Sequence, residues 1–107
     1  MKTSSFPVVH HVFFWLKNAD SETDKQALIE GIKTLGGIET VKHFHIGLPA
    51  STEDREVVDN TYDVTEMLIF DSEEDEAIYQ IHPIHKAFVE KCSHFWKKVV
   101  VYDSRSI

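Results

Sequence analysis

Apolar and polar positions change period several times along the chain, and each change marks a structural element. Val8 to Lys17 (VVHHVFFWLK) alternates with a period of two. Val8, His10, Val12, Phe14 and Leu16 fall on one side, and Val9, His11, Phe13 and Trp15 on the other. Both sides are largely apolar, which predicts a strand covered on both faces. From Ser21 to Leu35 the spacing lengthens: Leu28, Ile32 and Leu35 stand at i, i+4 and i+7, one buried stripe of a helix. Ser21 with Asp24 three residues on forms a capping-box pattern, and Gly36-Gly37 closes the helix.

Val41 to Leu48 and Tyr62 to Phe70 read as two further strands, separated by a polar loop at Pro49–Thr61. Asp71-Ser72 offers a cap for a second helix, with Glu73, Glu74 and Asp75 in its first turn. That helix must break ahead of Pro83, because proline lacks an N–H and pushes the preceding residue, His82, out of α geometry. Pro83 then suits the first turn of a new helix ending near His94, and Trp96 to Asp103 is a fourth strand.

The order β-α-β-β-α-β predicts an α+β fold, a ferredoxin-like protomer in one domain spanning residues 1–107 with its core at about 8–104. In that fold helices cover one face of the sheet and leave the other bare. Strands one and four carry apolar residues on both faces, so the simplest cover is a second copy of the sheet. The expectation is a homodimer with its sheets face to face, a dimeric α/β barrel.

Composition narrows the partners. A net charge of −7 and a pI near 5.4 argue against nucleic acid and anionic membranes. A single cysteine, Cys92, allows no intramolecular disulfide and suits a reducing compartment. The N-terminal stretch MKTSSFPVVHHVFFWLK has no cleavage site of small residues, and no run approaches the ~20 apolar residues of a membrane span, so a soluble cytoplasmic protein is expected. No phosphate loop, dinucleotide fingerprint or nucleophile elbow is present.

The chemistry concentrates in AIYQIHPIHKAF, Ala77 to Phe88. His85 shares a helical stripe with Phe88, Val89 and Cys92 and should point inward. The break at Pro83 can turn Tyr79 and His85 toward one cavity, where the imidazole would remove a carbon-bound proton and the phenol would support a developing enolate oxygen. The plainer alternative is a core histidine tied to a backbone carbonyl and a core tyrosine, as in a non-enzymatic stress-response or assembly protein. His82 should brace the kink and border the cavity. Glu66 interrupts the third strand and, if buried, should find a partner. His43 and His45 share a strand face, but no carboxylate or cysteine stands at a diagnostic distance from them or from His82-x-x-His85, so neither metal nor cofactor is expected and a small metal-dependent or oxidative enzyme is the least favoured reading.

Together, HHVFFWLK, YQIHPIH with the following FV, and the ending FWKKVVVYD resemble the Dabb family, the stress-responsive dimeric α/β-barrel domain, over about residues 8 to 104. The resemblance implies a ferredoxin-like protomer and a dimer. It does not imply one activity. One member is a plant polyketide cyclase that closes the olivetolic acid ring by aldol condensation, and its catalytic residues would fall on His85, Tyr79 and His11. That match puts His11 in a pocket between sheet and helices and leaves His10 near the dimer core. A second pocket tyrosine of that enzyme has no counterpart here. On this reading the pocket takes a small hydrophobic or carbonyl-containing ligand, with Phe13, Phe70 and Phe88 among its walls. The chemistry would be cofactor-free acid–base catalysis of the aldol, cyclase or isomerase type.

Overall fold

The computed structural model describes residues 6–107, so the first residues of the stretch weighed as a leader lie outside it. The elements follow the order β1 (Val8–Leu16), α1 (Glu22–Lys33), β2 (His43–Gly47), β3 (Val64–Phe70), α2 (Glu73–Ile81), α3 (Pro83–Cys92) and β4 (Trp96–Arg105). The four strands form one antiparallel sheet in the order β2-β3-β1-β4, the ferredoxin-like arrangement. No helix among the described residues is long and apolar enough to cross a membrane.

Local chemistry explains the boundaries. Ser21 Oγ accepts from Asp24 N–H at 3.1 Å and opens α1, while Ser72 Oγ accepts from Asp75 N–H at 3.1 Å and opens α2. The last turn of α1 tightens into a 3₁₀ segment at Thr34–Gly37. Gly31 lies where α1 meets α3: a β-carbon there would stand 2.5 Å from Cys92 Sγ, so glycine permits the close approach of the two helices. Pro49–Thr61 has no helix or strand of its own, and at its end Thr61 Oγ1 accepts from Trp15 Nε1 at 3.0 Å.

Strand parity decides what faces what. In register, Val12 stands between Glu66 of β3 and Val101 of β4, and Ile46 of β2 lies across from Glu66. Val8, His10, Val12, Phe14 and Leu16 are buried under the helices, with Leu28, Ile32, Leu35 and Tyr79 closing the core above them. The opposite face presents His11, Phe13 and Trp15 beside Met67, Ile69, Val100 and Tyr102, which no helix covers.

This parity corrects part of the sequence reading. His10, not His11, faces the helices, and Phe13 lies with His11 on the open face. Adjacent residues of a strand point to opposite faces, so a slip of one position exchanges the two.

Candidate active site

The break at Pro83 fixes the reactive ring. In a continuous helix the Gln80 carbonyl would accept from the N–H four residues on, that of Ile84. Here the Ile84 N–H donates to His82 Nδ1 at 3.0 Å, and His82 N–H donates to the Tyr79 carbonyl at 3.1 Å. The Gln80 carbonyl is left to accept from His85 Nδ1 at 3.2 Å. A carbonyl only accepts, so Nδ1 carries the proton and the neutral ring keeps its lone pair on Nε2. Burial pulls the His85 pKa below its ordinary 6.5; the Gln80 hydrogen bond opposes this and the neighbouring His10 adds to it. His85 is therefore uncharged at neutral pH, the protonation state of a base.

Tyr79 lies against His85, with ring centroids 4.5 Å apart, and is backed by Phe70 at 5.1 Å. Its hydroxyl is pushed above the usual phenol range, first by burial and then by the Glu66 and Glu76 carboxylates. The phenol stays protonated and can donate its O–H to an oxygen that develops charge. His10, 5 % exposed, sits edge-on to Tyr79 at 5.7 Å and donates from Nδ1 to Asp103 Oδ1 at 2.6 Å, with Glu76 Oε2 at 4.0 Å.

These groups border a cleft of about 150 Å³ between the sheet and α2–α3. The sheet contributes His10, Val12 and Glu66, and the helices contribute Tyr79, His85 and Phe88. Val99 and Val101 of β4 border it on the edge strand, where both are exposed. No lysine or arginine among the described residues lines it. Glu66 is 2 % exposed, and its Oε2 has no hydrogen-bond partner among the described residues. The described residues supply no partner for Glu66 of the kind expected, and burial raises its pKa from 4.5 to about 8.

Of the residues singled out in the sequence, Tyr79, His85 and Phe88 meet in this cleft. Phe70 has the right parity but is fully buried behind Tyr79 and is not part of the wall. His82 is spent as the cap of α3, its Nε2 3.6 Å from Glu39 Oε2. His11 and Phe13 lie on the far face, where burial and the nearby His45 lower the His11 pKa. His10 and Glu66 are the cleft residues that the sequence reading placed elsewhere or left without a role. Their signal was that each shares strand parity with core residues, Val12 and Phe14 for one, Val64 and Leu68 for the other. Among the described residues, His10, Glu76 and Asp103 bring ligand atoms within 4.8 Å of one another and are the set able to hold a metal ion.

The model of the stress responsive A/B barrel domain matches residues 8–106. The chain belongs to this family, Dabb. No curated protein sequence matches it. Among solved structures, the Dabb chain resembles a protein from Arabidopsis thaliana at 28% identity, with 94% of this chain and 95% of that chain covered and a TM-score of 0.76. A dimeric ferredoxin-like protein of unknown function from Thermobifida fusca is 18% identical, covering 99% and 96% of the two chains at a TM-score of 0.77. A hydroxynitrile lyase from Passiflora edulis is 20% identical, covering 97% and 96% at a TM-score of 0.79. The last two share the fold of the Dabb chain.

Proposed function

We propose that this Dabb protein is a homodimer that binds a small carbonyl-containing ligand in the Tyr79–His85 cleft and performs cofactor-free acid–base chemistry on it, in a reducing, cytoplasmic setting. The observation that carries the chemistry is the Gln80–His85 hydrogen bond, which holds the proton of the neutral ring on Nδ1 and leaves the Nε2 lone pair beside a protonated phenol, while burial keeps the ring uncharged. His85 takes a proton from the carbon next to the carbonyl, and Tyr79 steadies the oxygen as the enolate forms. Closure of a ring, an aldol step or an isomerisation would each begin this way, so the polyketide cyclase of the family remains the guide to reaction class. The cleft is of the size of cavities that take a single benzene-sized ring, ~150 Å³. Larger ligands would extend out past Val99 and Val101.

The dimer is supported by the uncovered apolar face around Phe13, Trp15, Met67 and Val100, and by the dimeric state of the Thermobifida fusca protein of the same fold. Packing that face on a second copy would leave the helix side, and the cleft with it, free for a ligand.

The test is solvent exchange. Incubated in D₂O with a small cyclic ketone, the protein should speed loss of the ketone's α-proton NMR signals, and His85→Gln should remove most of that rate. Equal rates with both proteins, or with neither above buffer, would favour a non-enzymatic assembly protein in which the histidines only pack.

A further inference from the structure

We propose that Glu66 is the acid of this cleft, donating its O–H to the oxygen of an uncharged carbonyl ligand, a small ketone or aldehyde, and that it turns carboxylates away. This deepens the reading of the cleft as a carbonyl site with His85 as base and rests on it.

The geometry comes first. Glu66 sits on β3 between Val12 of β1 and Ile46 of β2, beneath the helices and almost fully buried. Nearly every buried polar atom in a folded protein has a partner, and one that lacks it calls for a reason. Glu66 Oε2 has none among the described residues, yet its side chain borders a cleft large enough for a ligand. The titratable groups around it are His10 on β1, Tyr79 on α2 and His85 on α3, with Glu76 and Asp103 beside His10; β2 offers only Ile46. None of these is a lysine or arginine. No lysine or arginine among the described residues lines the cleft, and His10 is already engaged with Asp103 at 2.6 Å, so a carboxylate buried here is held as the acid, and its pKa of about 8 agrees. With Asp103 and Glu76 already beside His10, the described residues of the cleft offer no free positive group to an anionic ligand, whereas a neutral carbonyl oxygen accepts the Glu66 proton and supplies the missing partner.

The step balances. His85 Nε2 takes the proton from the α-carbon, the C–H electron pair becomes the C=C bond, and the carbonyl π pair takes the Glu66 proton to form an enol O–H. His85 ends as imidazolium and Glu66 as carboxylate, so net charge is unchanged, and the reverse transfer restores both. Tyr79, the weaker acid, donates a hydrogen bond to the same oxygen without losing its proton.

Three probes of one size test this by ligand-observed NMR: cyclohexanone, cyclohexanecarboxylate and cyclohexylamine. Cyclohexanone should bind wild type at pH 6.5 and weaken by about tenfold at pH 9, as the protonated fraction of Glu66 falls. Glu66→Gln, whose amide donates at every pH, should flatten that profile. Cyclohexanecarboxylate should not bind. A profile that falls equally in Glu66→Gln, a carboxylate that binds as well as the ketone, or an amine that binds best, which would mean an ionised Glu66, each overturns the inference. Ketone binding with His85-dependent α-proton exchange but no Glu66 effect overturns this inference alone and leaves the reading of the cleft standing. A ligand-free measurement decides the case where no probe binds: in ¹³C-labelled protein the Glu66 carboxyl should titrate well above the usual carboxylate range, and titration near 4.5 would refute its role.

Discussion

Replacing Glu66 with leucine should stabilise the protein, and by an amount that depends on pH. Unfolded, this carboxyl ionises near 4.5; folded, burial holds the proton to about 8. The folded-state pKa is the higher one, so the contribution of Glu66 to stability is intact below pH 4.5. It declines as pH rises, because the unfolded chain releases a proton that the fold retains, and it levels off above pH 8. At about 1.36 kcal/mol per unit, the decline is about 3 kcal/mol by pH 7 and about 4–5 kcal/mol above pH 8. Leucine has similar bulk, packs beside Val12 and Ile46, and has no proton to lose. Urea denaturation of both proteins at a series of pH values from 4.5 to 8.5 isolates the effect, since the other titrating groups cancel in the difference. The stability gap should widen with pH up to about 8 and then level off, and the variant's melting temperature at neutral pH should exceed the wild type's by on the order of 10 °C. Curves that stay parallel across this range would refute the argument that Glu66 is buried as an acid without a partner.

Other consequences are separable. His82→Ala should cost about 1 kcal/mol by removing the cap of α3, measured by denaturation, while α-proton exchange by His85 survives. Pro83→Ala should let Ile84 N–H reclaim the Gln80 carbonyl, and ¹⁵N NMR should then show His85 as a mixture of ring tautomers. Phe13→Glu, in the middle of the open face, should yield monomers by light scattering without changing the circular dichroism of the protomer. Because the His85 pKa lies below 6.5, the acid limb of the exchange rate should fall below pH 6.5 as well, read from initial rates across pH 4.5–8.

Local signals in the sequence carried most of the fold. Ser21, Ser72 and Pro83 mark helix ends through hydrogen bonds made within a few residues of themselves, and the structure has those bonds. The end of β4 was less legible: Ser104 and Arg105 have no strand character but pair with Val9 and Val8 across the sheet. Within the site, Tyr79 and His85 could be found because the proline break and the helical stripe are both local. His10 and His11 could not be told apart by pattern, since the strand is apolar on both faces and parity then has no polar side to anchor it. Phe70 shows the limit of parity itself, for the correct face does not reveal that Tyr79 stands in front. Whether Glu66 had a partner depended on three-dimensional neighbours from three other elements, beyond the reach of spacing rules.

The hold on His85 comes from a main-chain oxygen, released by a break that needs only one proline and the residue before it. The exposed side chains bordering the hollow can therefore be changed while the ring keeps its proton on the same nitrogen. A mutant library over Val89, Val99 and Val101 would thus vary what enters and leave the tautomer of the base unaltered, which makes this small scaffold a practical starting point for selecting new carbonyl catalysts.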